Sequence, residues 1–134
     1  VQPLALGANC GVGASDLLAS VLDITAANED AIVVAKANCG IPVVKGDGVF
    51  YSGTPQTMSA YTCLAIDSGA RIVGGCCGTA CEHLAAMRHA IDTHVRGPRP
   101  DLPTIEAQVG AMVNVSSAAN DGISKRERRG KRRA

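Results

Sequence analysis

A chain of 134 residues has room for one domain and not for two. Its apolar share of 46% is ordinary for a globular protein but only 2% is aromatic, so the core must be built from Ala, Val, Leu and Ile, as in layered α/β folds. The net charge of +1 conceals an asymmetry: seven of the 13 Lys and Arg fall in 125–133, leaving the body up to Ser124 with six basic against eleven acidic residues, a net of −5.

In chain order, Leu4 to Asn9 reads as a buried strand and Gly11-Val12-Gly13 as a turn. A helix is expected over Asp16 to Ala27, capped by Ser15 or Asp16, with Leu17, Leu18, Val21, Leu22 and Ile24 at helical spacing. Ala31 to Asn38 is a second strand, near-continuously apolar and rich in β-branched residues, as suits a parallel strand covered on both faces. Gly40 to Gly53 reads as a long loop. Thr54 is the expected N-cap of a helix with Pro55 at its first position, a buried stripe of Met58, Tyr61, Leu64 and Ala65, and Gly69 at its C-terminal cap. Arg71 to Gly75 is the third strand and Ala80 to His94 the third helix. The alternation is that of repeated βα units, which join parallel strands by right-handed crossovers. Gly97 to Pro103 reads as a linker, Thr104 to Met112 as a last short helix, and the span from Asn114 onward as a disordered tail ending in a charge run.

No apolar run is long enough to cross a bilayer, and no basic region followed by an apolar one opens the chain, so neither a membrane span nor a secretory signal is expected and the expected location is the cytoplasm. The chain starts on Val1, as expected of a processed or truncated polypeptide.

The chemistry is concentrated in six cysteines. Both Asn9-Cys10-Gly11 and Asn38-Cys39-Gly40 end a strand, where parallel α/β folds bind ligands. Gly74-Gly75-Cys76-Cys77-Gly78-Thr79 ends the third strand, and two adjacent thiols among glycines make a poor packing motif. A disulfide scaffold is disfavoured, because the cysteines sit at the ends of apolar runs and in helices rather than in turn-rich loops. Two thiols facing one point suit a soft metal ion, and Cys10 supplies a third from another strand end. Three thiolates leave one position of a tetrahedral zinc for an incoming group, as a catalytic zinc requires. Such a site suits holding a substrate thiol as thiolate, and so alkyl transfer to sulfur, better than water activation. Cys39 is the alternative fourth thiolate, which would close the site and make it structural. Cys63 reads as packing on a helix face and Cys81 as incidental to a first helical turn.

Gly7-Ala8-Asn9-Cys10-Gly11, Lys36-Ala37-Asn38-Cys39-Gly40-Ile41-Pro42 and Gly74-Gly75-Cys76-Cys77-Gly78-Thr79, in this order and spacing, resemble the homocysteine S-methyltransferase family over about Leu4 to Ile91. The resemblance implies a (β/α)8 TIM barrel of which this chain holds the C-terminal three βα units: residues 1–96, followed by a linker with a short helix over 97–113 and a basic tail over 114–134. It implies Zn2+ on Cys10, Cys76 and Cys77 and transfer of a methyl group to the thiol of homocysteine, giving methionine. Betaine, another dimethyl or sulfonium compound, or a cobalamin-bound methyl remain open as donor. Cys39 and Cys81 depart from the family pattern, and the earlier strands whose loops hold the homocysteine amino and carboxylate groups have no counterpart here. The rival expectation is a non-catalytic zinc-binding or inactive barrel fragment that needs its missing barrel half, a homo-oligomer or another partner chain.

Asn9 and Asn38 are candidate substrate contacts, although Asn is also common where strands meet loops. His83, His89 and His94 have no metal spacing and read as packing or exposed residues, and Glu82 suits the positive end of the third helix. The tail offers electrostatic attraction but no aromatic stacking platform, so nucleic acid is not expected as a partner.

Overall fold

The computed structural model describes residues 3–114, so the expected basic tail lies, from Val115 on, outside the described residues. The described residues form a mixed α/β structure with a three-stranded parallel sheet, a two-stranded hairpin and four helices. The sheet consists of β1 (Leu6–Asn9), β2 (Val33–Ala37) and β5 (Ile72–Gly75), in the order β1-β2-β5. Between them come helix α1 (Ala14–Ala27), hairpin strands β3 (Pro42–Lys45) and β4 (Gly48–Tyr51), and helix α2 (Pro55–Asp67); α3 (Cys81–Thr93) and α4 (Leu102–Val109) follow β5. The register pairs Ala8 with Ala35 and Ala35 with Val73, so all three strands end at one edge.

Val33, Ala35 and Ala37 of β2 are buried, while Lys36 between them is exposed. Alternate side chains of a strand point to opposite faces, so the helices cover one face only. Leu17, Leu18 and Val21 of α1, and Met58, Tyr61, Leu64 and Ala65 of α2, complete that side of the core. Tyr61 is fully buried and its hydroxyl accepts the Ala37 N–H at 3.2 Å, which ties α2 to the central strand; burial pushes its ionisation far up.

The other face carries Gly7, Val34 and Ile72 in one row and Asn9, Lys36 and Gly74 in the next, and no described element lies over it. Gly7 is set by contact: a β-carbon there would stand 1.9 Å from the Val34 carbonyl oxygen of the adjoining strand.

Local chemistry explains the helix ends. Thr54 caps α2 by accepting the Thr57 N–H at 3.2 Å, with Pro55 behind it. At the other end, Gly69 at φ +101° lets its own N–H reach Ile66 O and the Ala70 N–H reach Ala65 O, which satisfies two last carbonyls. Thr25 of α1 donates to Ser68 O at 2.8 Å and joins the two helix ends. Two expectations are corrected. The N-cap of α1 is Gly13, without a side-chain cap, and Ser15 and Asp16 lie inside the helix. Their oxygens serve another segment: Ser15 Oγ donates to Ala111 O, and the Asp16 carboxylate accepts the N–H groups of Val113 and Asn114 at 3.0 and 2.8 Å. Gly40 to Gly53 is not an open loop but the β3–β4 hairpin, turning at Gly46-Asp47.

The span 97–113 holds α4, capped by Asp101, which accepts the Thr104 N–H at 2.9 Å. The Thr104 hydroxyl, and then its N–H, hold the Asp101 carboxyl below the usual carboxylate range. Ile105 of α4 is fully buried in the core cluster, and α4 packs on both α1 and α2. His94 Nε2 and the Gly97 N–H both reach Asp67 Oδ1 and hold the start of this span on α2. No helix of the described residues is long and apolar enough to cross a membrane.

Candidate metal centre

The site forms at the C-terminal edge of the parallel sheet, where β1 and β5 stand on either side of β2. The two Asn-Cys-Gly ends behave differently there. In Asn38-Cys39-Gly40 only the glycine is left-handed, at φ +83°, and Cys39 stays 1% exposed in the helical layer. In Asn9-Cys10-Gly11 the cysteine itself takes φ +58°, a region that side chains other than glycine, Asn and Asp seldom enter. Its N–H still bonds Lys36 O at 3.1 Å, so strand pairing holds as far as Cys10 and the chain turns at that residue. The turn brings Cys10 Sγ to 3.6 Å from Cys77 Sγ.

Cys76 extends the pairing of β5, with its N–H on Ala37 O at 2.8 Å. Cys77 is held from two sides: its carbonyl accepts the Cys39 N–H at 2.9 Å, and its N–H donates to Asn38 Oδ1 at 3.2 Å. Asn38 is 3% exposed, so its carboxamide acts on the cysteine loop from below, while Asn9 is exposed on the uncovered face. Sequence reasoning missed Tyr51. The end of the hairpin places its ring against Gly78, where a β-carbon would meet the ring at 2.3 Å. The signal was two short runs of strand formers, Val43-Val44 and Val49-Phe50-Tyr51, on either side of the two-residue Gly46-Asp47 turn.

The sulfurs of Cys10, Cys76 and Cys77 all lie within 4.8 Å of one another, with Cys76 and Cys77 4.0 Å apart. Sulfurs on one tetrahedral zinc, each at about 2.3 Å, stand about 3.8 Å apart, so the spacing fits a shared zinc. A disulfide sets its sulfurs about 2.05 Å apart, and all six cysteines are free. Cys39 lies outside the cluster, its sulfur turned toward Gly53, which removes it as a fourth thiolate. Cys63 is half-buried on α2 and Cys81 exposed at the start of α3. His83 is not at the site; its Nδ1 accepts the Ala80 N–H at 3.0 Å and closes the first turn of α3.

The electrostatics follow from these contacts. The Gly11 N–H, and then the Cys77 and Cys76 thiols, bond Cys10 and draw its thiol below its ordinary range. Cys77 is pushed up because its proton is shared toward Cys10 and Cys76. Burial, then Glu82, pushes Cys39 up, opposite to the shift of Cys10 at the matching strand end.

The homocysteine S-methyltransferase family model matches residues 1–91, which span the three strands of the sheet and all three clustered cysteines. The match ends inside α3, and α4 with the segment strapped to Asp16 lies beyond it. A match over most of the chain, with thiols converging where that resemblance calls for them, makes this chain a member of the homocysteine S-methyltransferase family.

Proposed function

We propose that the chain binds zinc through Cys10, Cys76 and Cys77 and takes part in methyl transfer to the sulfur of homocysteine, with methionine as product. The observation that carries this reading is the convergence of three sulfurs from two strand ends within 4.8 Å. Zinc, when bound, supplies a soft Lewis-acid position that keeps a substrate thiol deprotonated at neutral pH. The residues of the chain do the rest. Cys10 uses its left-handed turn to face the vicinal pair. Asn38 fixes the Cys77 peptide, and Tyr51 covers Gly78. The homocysteine sulfur attacks the methyl carbon; a sulfur–carbon bond forms as the methyl–donor bond breaks, and the donor leaves with that electron pair. Betaine is the donor to test first. Asn9 and Asn38 are the proposed polar contacts for substrate, Asn9 being the exposed one.

In this reading β1, β2 and β5 are three consecutive strands of a (β/α)8 barrel, and the site works in the cytoplasm. The bare face with Val34, Lys36 and Ile72 favours a second reading, in which this chain binds zinc but forms methionine only when further βα units cover that face. Zinc-edge absorption spectroscopy tests the centre: three protein sulfurs are expected, and a fourth on adding homocysteine. A methionine-formation assay with betaine then separates the readings. A fourth sulfur with turnover supports the enzyme, three protein sulfurs without turnover support the second reading whether or not homocysteine adds a fourth, and fewer than three protein sulfurs overturn both.

A further inference from the structure

At the opposite edge of the sheet a cavity of about 510 Å3 opens between the ends of α1 and α2 and the segment that follows α3. Its size is that of a small-molecule site, which typically encloses about 300–1,000 Å3. Arg71, from just before β5, lines it together with Arg96 and Arg99 from beyond α3; Glu29 is the one carboxylate of the lining. Those arginines are half of the six basic residues in a body that carries a net charge of −5. A positive cluster in an acidic body draws anions to itself.

The three guanidiniums are not equivalent. Arg99 donates to Leu22 O and so serves the C-terminal turn of α1. Arg71 and Arg96 make no ion pair among the described residues, and the Arg96 guanidinium lies against Gly69, where a β-carbon would be 3.6 Å from it. Asp67, the nearest carboxylate in sequence to both Gly69 and Arg71, is already occupied by His94 and the Gly97 N–H. Two free planar guanidiniums beside a cavity match the paired oxygens of phosphates and carboxylates.

We infer that this cavity binds a small multivalent anion bearing phosphate or carboxylate groups, with Arg71 and Arg96 as its principal ligands and Arg99 adding charge. The site is separate from the thiol cluster. Five residues of near-extended chain part Arg71 from Cys76, roughly 16 Å, so the inference stands or falls independently of the metal centre.

Isothermal titration calorimetry on the full chain, with pyrophosphate and with citrate as probes at matched ionic strength, tests the assignment. The tail also attracts anions, so the reading is the difference between the parent protein and Arg71→Gln/Arg96→Gln, in which the tail is unchanged. Saturable binding is expected, weakened at least tenfold in the double variant, while Arg96→Lys retains part of it. Circular dichroism and the count of reactive thiols should match the parent, which separates lost ligands from lost fold. Binding of pyrophosphate alone identifies a phosphate site, binding of citrate alone a carboxylate site, and binding of both a site that reads charge. Binding no stronger than that of sodium chloride, or equal binding in parent and double variant, overturns the inference and leaves Arg99 as a partner of the Leu22 carbonyl and Arg71 and Arg96 as surface charges.

Discussion

The buried carboxamide oxygen of Asn38 accepts the Cys77 N–H at 3.2 Å and so couples the end of the central strand to the vicinal cysteines of its neighbour. Groups that orient metal ligands are typically worth ten- to a hundredfold in metal affinity. Asn38→Ala is therefore expected to weaken zinc binding by roughly tenfold or more, read by competition with a chromophoric chelator. It also strands a part-buried N–H, at about 1–3 kcal/mol of stability in denaturant unfolding. Parent-like zinc affinity would remove Asn38 from the positioning of the site.

The two strand-end cysteines make opposite predictions. Cys10→Ala removes one of three converging sulfurs and is expected to abolish equimolar zinc retention on gel filtration. Cys39→Ala leaves the cluster whole and costs only packing, about 1 kcal/mol, with zinc stoichiometry unchanged. Loss of zinc from Cys39→Ala together with retention in Cys10→Ala would reverse the assignment.

Thiol reactivity reads the same contrast through pH. The Gly11 N–H stabilises the Cys10 thiolate and lowers its titration, whereas burial and Glu82 raise that of Cys39. The thiolate is the reactive form, so Cys10 must gain reactivity at a lower pH than Cys39 as pH rises. In metal-free protein, iodoacetamide labelling followed by peptide mass spectrometry is expected to modify Cys10 first and Cys39 last, and added zinc should protect Cys10 but not Cys39. Equal pH profiles would contradict the contacts described here.

These results show which parts of the molecule were legible in the chain. Helices with strong apolar periodicity were readable because burial and local spacing agree, as in the α2 stripe of Met58, Tyr61, Leu64 and Ala65, whereas β1, expected buried, is largely exposed and β2, expected covered on both faces, is covered on one. The thiol cluster was readable because three thiols sit at strand ends, which a parallel sheet gathers at one edge. The β3–β4 hairpin was not, because four glycines and two prolines between Gly40 and Pro55 suggest a loop, and the apolar pairs Val43-Val44 and Val49-Phe50 lie on a largely exposed ribbon with no alternation to mark it. Tyr51 was hidden with it. The N-cap of α1 was misplaced because Ser15 and Asp16 look like local caps, while their actual partners are about a hundred residues away, at Ala111, Val113 and Asn114. The different fates of Cys10 and Cys39 follow from one backbone angle, which identical Asn-Cys-Gly tripeptides cannot disclose.

Gly7 gives a test of sheet geometry upstream of the site. Its missing side chain lets the Val34 backbone come so near that a β-carbon would lie 1.9 Å from the carbonyl oxygen. Backbone cannot yield as a flexible side chain can, so Gly7→Ala must push β1 away from β2. A loss of about 3 kcal/mol is expected, the upper range for overpacking. Because β1 delivers Cys10, zinc affinity should fall with it. A Gly7→Ala protein with parent stability and parent zinc affinity would mean that β1 does not pair with β2 in this register.

Ile105 decides whether the span beyond the family match belongs to the folded body. Its side chain is fully buried, and α4 bridges α1 and α2 before the chain returns to the first turn of α1. Truncation of a buried Ile typically costs about 2–5 kcal/mol, because the cavity left behind adds to the lost transfer energy. Ile105→Ala is expected to fall in that range, with one cooperative transition in denaturant. Asp16→Asn keeps one acceptor oxygen but turns an NH2 toward the other N–H, so one of the bonds to Val113 and Asn114 is lost, at about 1–3 kcal/mol. The two losses are expected to be less than additive, since both act on docking of the same segment. If Ile105→Ala unfolds like the parent, α4 is an appendage, and the folded unit ends with α3.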